Sequence, residues 1–119
     1  SGGMRMRLSL ARAIALRPDL LLLDEPLAAV DELTRDSLQD ELSALWQRAG
    51  FTALLVTHNV QEAVYLSNRV VVMSPRPGHI LSVTDVPFSF PRSPELRPTA
   101  AFAKLADEVS AALRQRDRT

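Results

Sequence analysis

The 119-residue sequence contains no cysteine, so it can hold neither a disulfide framework nor a thiolate metal site. It has no excess of one charge, because 14 basic and 14 acidic side chains balance to a formal net charge of zero. This balance gives no indication of a nucleic-acid partner. No apolar run approaches the ~18 residues that a membrane span needs, and no signal-peptide pattern occurs. The lack of cysteine is compatible with a reducing compartment. We expect one soluble domain that is long enough to bury a core.

The most informative stretch is an apolar run that ends in two acids, residues 20–26 (LLLLDEP). Four leucines without polar alternation predict a strand buried on both faces, as in a parallel sheet covered by helices. A piece of buried helix has the same composition, but Pro18 and Pro26 limit its length and favour a strand. Ligands of open α/β sheets bind outside the carboxyl ends of the strands, where Asp24 and Glu25 stand. Taken alone, the two acids could equally form a polar turn that closes the strand.

The N-terminal stretch predicts a helix over residues 4–16, which Pro18 ends. Its predicted apolar stripe consists of Met4, Leu8, Ala11 and Ala15. Ser1, Gly2 and Gly3 precede the helix, and backbone N–H groups at such a glycine-rich N-terminus attract anions. An ordinary N-cap with flexible glycines explains the same three residues.

Four segments resemble the ATPases of ABC transporters, in the order and spacing of that family. Residues 1–13 are similar to the signature motif and its helix, and residues 20–26 to the Walker B strand with its catalytic glutamate. Residues 27–31 resemble the D-loop, and His58, after the predicted strand 52–57, resembles the switch histidine. The resemblance implies an α/β fold: the C-terminal portion of a P-loop NTPase-like domain, with a mainly parallel sheet flanked by helices.

In this family two nucleotide-binding domains sandwich ATP head to tail, so the resemblance implies roles for the matched residues. Ser1, Gly2 and Gly3 would contact the γ-phosphate of the ATP that the opposite subunit holds. Asp24 would help to hold Mg²⁺, a cation that prefers carboxylate and water oxygens. Glu25 would polarise the attacking water as general base.

The resemblance also implies roles for His58 and Asp31, and each of these residues has an alternative, purely structural interpretation. His58 would bond the γ-phosphate and keep the site closed, although a lone histidine at a strand end commonly has only a structural role. Asp31 would cross the dimer interface and couple the two sites. It could also be the N-cap or first-turn acid of the next helix, and it could serve as both.

Met4 and Met6 depart from the family pattern, since many members have glutamine at both positions. Methionine removes two hydrogen-bonding side chains near the phosphate site. Ser1, Gly2 and Gly3, which carry the implied phosphate contact, are kept. We interpret the two methionines as subfamily variation.

The rest of the sequence predicts alternating helices and strands. These are helix 31–48 with Leu33, Leu38, Leu42, Leu45 and Trp46 on its apolar side, strand 52–56, helix 60–66, strands 69–73 and 79–85, and helix 99–116. Prolines break up residues 87–98, so we expect residues 1–86 to be the nucleotide-binding portion and 87–119 a proline-rich segment with a final helix. That helix would pack on the sheet of this domain or on a neighbouring subunit. Residues 73–78 and this tail resemble importers of nitrate, sulfonate, taurine and similar solutes.

The resemblance implies an ATP-hydrolysing subunit with ATP and Mg²⁺ as cofactors, peripheral on the cytoplasmic face of the membrane. Its partners would be a second nucleotide-binding subunit and transmembrane permease subunits, with no nucleic acid. A non-transport ABC ATPase shares the motifs, but the neutral charge and the lack of a coiled coil or basic tail argue against it. A non-enzymatic module that binds a partner through residues 87–119 is the other alternative.

A phosphate-cradling Gly-x-x-x-x-Gly-Lys-Ser/Thr loop occurs nowhere in the sequence, and the segment with the family's Gln loop is also lacking. The sequence opens at Ser1 without methionine and enters a helical pattern at once, which is typical of a cut through a larger domain. We therefore expect the 119-residue chain alone to show no appreciable ATP binding or hydrolysis.

Overall fold

The computed structural model describes residues 2–117. The chain divides into two compact units: the first is Ser1–His58 and the second is Asn59–Thr119. Residues 59–86 and 87–117 therefore belong to the same unit. The domain boundary after residue 86 stays a prediction about the organisation of the whole protein. No helix within residues 2–117 is long and apolar enough to cross a bilayer.

The first unit alternates helices and strands, as predicted. Its elements are α1 (Gly2–Ala15), β1 (Leu20–Asp24), α2 (Glu32–Ala49) and β2 (Thr52–Val56). The two strands pair in parallel, and the register runs from Leu20 opposite Thr52 to Asp24 opposite Val56. Gly50 ends α2 with a φ of 68°, a left-handed conformation that glycine adopts without steric cost. The mixed α/β class with a parallel sheet is confirmed.

The burial expected for β1 is wrong for the described residues. Leu21 is only 7% exposed, but Leu20 and Leu22 are 60% and 63% exposed. Successive side chains of a strand point to opposite faces, so Leu20 and Leu22 share the open face. The composition of β1 is typical of a strand that is covered on both faces. The described residues, however, cover only the face on which Leu21 lies.

The apolar stripe expected along α1 is also wrong. Met4, Leu8, Ala11 and Ala15 are exposed, whereas Gly3 and Leu10 are buried. A Cβ atom built on Gly3 would lie 3.5 Å from both the Leu38 and Thr34 side chains of α2. The close approach of the two helices at Gly3 therefore turns a different face of α1 inward. A helix with small and apolar residues on several faces does not reveal from spacing alone which face that is.

The apolar side predicted for α2 is confirmed in the centre of the helix, but the prediction is wrong for its first turn. Leu38 and Leu42 are almost fully buried, but Leu33 in the first turn is 92% exposed. Trp46 is half-buried and packs edge-to-face on Phe51, with ring centroids 5.7 Å apart. This contact agrees with the interpretation of Trp46 as a packing residue.

The second unit consists of α3, an antiparallel hairpin and a C-terminal helix. Its elements are α3 (Val60–Leu66), β3 (Arg69–Met73), β4 (Ile80–Asp85), a 3₁₀ helix (Pro94–Leu96) and α4 (Ala100–Asp117). β3 and β4 pair with Arg69 opposite Asp85. α4 packs on α3 and on both strands of the hairpin, with Phe102, Ala106 and Val109 buried. The final helix thus finds a packing partner within its own unit.

Arg92 is a buried cation that sequence reasoning did not single out. It is 5% exposed, and its Nη1 donates to the Val64 carbonyl at 3.0 Å while its Nη2 donates to the Ser67 carbonyl at 3.1 Å. Its guanidinium carbon lies 3.9 Å from the centroid of the Phe90 ring. Burial lowers the pKa of Arg92. Arg92 therefore ties the proline-rich segment to the C-terminal end of α3.

Candidate functional site

Two acids lie at the carboxyl end of β1, as predicted. Asp24 is the last residue of the strand and is exposed, and Glu25 follows it half-buried. The Glu25 backbone N–H donates to the Val56 carbonyl at 2.7 Å, so strand-like pairing extends one residue beyond β1. Glu25 has a φ of 46°, which is uncommon for a residue with a side chain and is energetically costly. Arg17, in the turn after α1, has a similar φ of 51°. Strained residues are enriched at functional sites, so the φ of Glu25 agrees with a functional role but does not distinguish it from Arg17.

His58 meets Glu25 at this edge of the sheet. The Nε2 atom of His58 lies 3.1 Å from Oε1 of Glu25, within hydrogen-bond distance. β1 and β2 are parallel and in register, so the residues that follow them emerge side by side. The His58 side chain is 83% exposed and that of Glu25 is 37% exposed. The pair is therefore reachable from solvent, and its attraction is screened by water.

Asp24 offers a carboxylate at the same edge. Within residues 2–117, no group of three or more histidine, cysteine, aspartate or glutamate side chains could hold a metal ion by itself. Mg²⁺ commonly needs only one or two protein carboxylates when substrate phosphates and water complete its shell. The exposed Asp24 fits a single ligand of that kind.

Asp31 caps helix α2. Its Oδ1 accepts a hydrogen bond from the Thr34 backbone N–H at 2.9 Å, which satisfies one of the free donors of the first turn. This backbone hydrogen bond from Thr34 is the largest cause that lowers the pKa of Asp31. The N-cap interpretation is thus confirmed, and the contact across a dimer interface stays a prediction.

The loop between β1 and α2 is anchored by apolar side chains. Leu27 is 1% exposed and Val30 is 7% exposed, while Ala28 and Ala29 between them face solvent. The Val30 carbonyl accepts a hydrogen bond from Nη2 of Arg35 at 3.0 Å. Sequence reasoning missed Arg35, although side chains of the first helical turn reach back towards the N-terminus of their helix.

Two of the three predicted phosphate-contacting residues, Gly2 and Gly3, lie at the start of α1. Ser1 lies outside the described residues, so the structure says nothing of its hydroxyl. Gly2 begins α1, and Gly3 is buried against α2. Their contact with a phosphate stays a prediction.

Fold and site together define an α/β protein with two acids and a histidine at the carboxyl edge of a parallel strand pair. Residues 1–28 match the family model described as ABC transporter. The taurine import ATP-binding protein TauB of Rhizobium johnstonii is 42% identical over 95% of this chain, and the aliphatic sulfonates import ATP-binding protein SsuB of Ralstonia nicotianae is 50% identical over 98%. A putative ATP-binding protein of Brucella abortus is 46% identical over 92%.

Over most of its length the chain is similar to ATP-binding proteins of ABC transporters. It spans less than half the length of these relatives, covering 45% of the Rhizobium, 39% of the Ralstonia and 42% of the Brucella protein. The similarity extends well beyond the residues matched by the family model and includes both units.

Proposed function

We propose that this chain is the C-terminal portion of a P-loop NTPase-like domain, and that the whole subunit hydrolyses ATP to drive solute import. The observation that carries the proposal is the 3.1 Å contact between the Glu25 carboxylate and the His58 imidazole at the end of the strand pair. A carboxylate that acts as general base must lie within hydrogen-bond reach of the water that it activates. The exposed edge leaves room for that water beside Glu25.

Each site residue has a distinct role in the proposal. Glu25 accepts a proton from the attacking water, and His58 donates a hydrogen bond to the terminal phosphate while it also holds Glu25. Asp24 is a ligand of Mg²⁺, which neutralises charge on the phosphates when it is bound with ATP. Phosphoryl transfer depends chiefly on such positioning and charge stabilisation.

Four residues act on the partner side of the proposed site: the first three of the sequence and the N-cap of α2. Ser1, Gly2 and Gly3 contact the γ-phosphate of ATP held by a second subunit in a head-to-tail dimer, because helix N-termini attract anions. Asp31 couples the two sites and caps α2. Two copies of the site therefore form between two subunits in the proposal.

The transported solutes and the membrane partner are inferred from relatives. TauB of Rhizobium is a taurine import protein, and SsuB of Ralstonia imports aliphatic sulfonates. We extend this class of small sulfonated or similar solutes, nitrate included, to the present protein. The subunit then docks peripherally on transmembrane permease subunits at the cytoplasmic face of the membrane.

The proposal is tested on the whole ATP-binding subunit in complex with its permease. Glu25→Gln keeps the size of the side chain and removes its basicity, so we expect kcat for MgATP hydrolysis to fall by about 10² to 10⁴-fold. Binding of a fluorescent ATP analogue should persist. Glu108→Gln, at an exposed position on α4, is the matched control and should leave kcat unchanged. Full activity of the Glu25→Gln complex would refute the proposed role.

A further inference from the structure

We propose that Arg35 is a positioning residue for the ATPase reaction, because its guanidinium group fixes the loop that connects Glu25 to α2. The inference rests on the proposed function of Glu25. It adds a residue that would touch neither nucleotide nor metal and would act through the backbone of residues 25–31. Arg35 is half-buried and belongs to the first turn of α2.

Backbone hydrogen bonds fold the first part of the loop. The Ala28 N–H donates to the Glu25 carbonyl at 3.2 Å, and the Val30 N–H donates to the Leu27 carbonyl at 3.2 Å. These two consecutive turns begin at Glu25, which has a left-handed φ. The buried Leu27 side chain holds the first of them against the first unit. The Glu25 end of the loop is therefore folded locally.

Arg35 joins the other end of the loop to α2. Its Nη2 donates to the Val30 carbonyl at 3.0 Å, and its backbone N–H donates to the Asp31 carbonyl at 2.9 Å. One residue thus binds two consecutive carbonyl groups at the junction of loop and helix. Hydrogen bonds from a charged donor are about twice as strong as neutral ones. The Val30 carbonyl depends on a side chain, whereas the Asp31 carbonyl is bonded by the helix itself.

The strained backbone of Glu25 needs this support. A residue keeps an unfavourable φ only when its surroundings over-determine the conformation. The backbone of Glu25 is held by the bond from its N–H to Val56 on one side and by the turn that leads to Val30 on the other. Its carboxylate contacts His58. Without the Arg35 bond, the loop can relax at Val30 and the Glu25 carboxylate can move away from the position set by His58. We expect such a shift to slow the chemical step, because catalysis is sensitive to displacements of about 1 Å.

The test compares variants of the whole subunit in complex with its permease. Arg35→Ala should lower kcat for MgATP hydrolysis by about 10- to 100-fold and leave the KM for ATP unchanged. Arg35→Lys keeps a charged donor on a flexible stem, so it should recover most of the lost kcat. Arg69→Ala is the matched control: it removes an exposed arginine whose Nε lies 3.0 Å from Asp85 in the second unit, and it should not change kcat.

Three outcomes decide the matter. Normal kcat in Arg35→Ala would overturn the inference, and so would a lowered melting temperature without a change in the kcat of the folded protein. Failure of Arg35→Lys to recover activity would show that the bond to Val30 does not carry the effect. Should Arg35→Ala not fold, Arg35→Gln retains a neutral donor and should give an intermediate kcat.

Glu25→Gln is measured in parallel. Full activity of Glu25→Gln would refute the proposed function itself. If Glu25→Gln is inactive but Arg35→Ala has a normal kcat, only the role of Arg35 is refuted.

Discussion

The imidazole of His58 and the carboxylate of Glu25 meet at 3.1 Å although the two residues lie 33 positions apart in the chain. Each residue follows a strand of the same parallel pair, and the in-register pairing from Leu20 opposite Thr52 to Asp24 opposite Val56 makes the two meet. The contact is thus a direct consequence of strand register. A slip of one residue would turn the side chains to the opposite face and would separate them.

We predict that His58 and Glu25 act as one unit in catalysis. His58→Ala in the whole subunit should lower kcat for MgATP by about 10²-fold, since it removes a polar group from the reacting phosphate and from Glu25. In a double variant with Glu25→Gln, the loss should be no greater than that of the more severe single variant. Steady-state hydrolysis rates of the four proteins check this, and multiplying losses would contradict it.

The control for this prediction is His79→Ala, because His79 is the other histidine of the sequence and is exposed in the second unit. It should leave kcat unchanged. The melting temperature of His58→Ala should also stay close to that of the parent, since the pair with Glu25 is solvent-exposed and contributes little to folding stability.

We predict that Asp31 gives the protein a stability that depends on pH. The pKa of Asp31 is lowered in the folded chain by the Thr34 N–H, so folding favours the ionised carboxylate. This contribution is fully present above the unfolded pKa of about 3.9 and is lost as pH falls through the lower, folded value. Asp31→Ala should therefore lower the melting temperature at neutral pH and should make less difference in strong acid.

Asp31→Asn separates the cap from the charge. Asparagine is as good an N-cap as aspartate, so this variant should keep most of the stability at neutral pH. Its melting temperature should fall less steeply than that of the parent between about pH 5 and pH 2, because the titrating group is gone. Thermal unfolding of the three proteins across this range tests the assignment. Parallel pH profiles for the parent and Asp31→Asn would contradict it.

The order of helices and strands could be predicted from sequence because it depends on local signals. The run of leucines between Pro18 and Pro26 marks β1, and Gly50 marks the end of α2. The site edge could also be anticipated, since two acids lie at the end of one apolar strand and a histidine lies two residues after the end of the other. The burial of individual side chains could not be predicted. Leu21 and Leu22 have the same chemistry, and they differ only in what covers them.

Arg35 and Arg92 show a second limit of sequence reasoning. Both bind backbone carbonyl groups, which every residue possesses, so no residue type in the sequence marks their partners. For Arg35 the acceptor is five residues away, but for Arg92 it lies 28 residues away at the end of a different element. Only the folded chain reveals which arginine is structural and which is solvated.

We predict that Arg92 is a major source of stability of the second unit. Arg92→Ala removes the donor of the buried Val64 carbonyl and of the half-buried Ser67 carbonyl. A buried carbonyl that loses its partner costs about 1–3 kcal/mol. It also removes the stacking of the guanidinium on Phe90. Chemical denaturation should show a loss of at least about 2 kcal/mol.

Arg92→Lys separates the planar geometry of the guanidinium from its charge, and Arg114→Ala is a surface control. Arg92→Lys keeps the cation but cannot reach both carbonyl groups in the manner of a planar guanidinium, so we expect it to recover only part of the stability. Arg114→Ala removes an exposed arginine of α4 and should change the free energy of unfolding by no more than about 0.5 kcal/mol. Equal effects of Arg92→Ala and Arg114→Ala would show that the buried guanidinium does not hold the proline-rich segment to α3. A large loss confined to Arg92→Ala, with partial recovery in Arg92→Lys, is the result that this geometry requires.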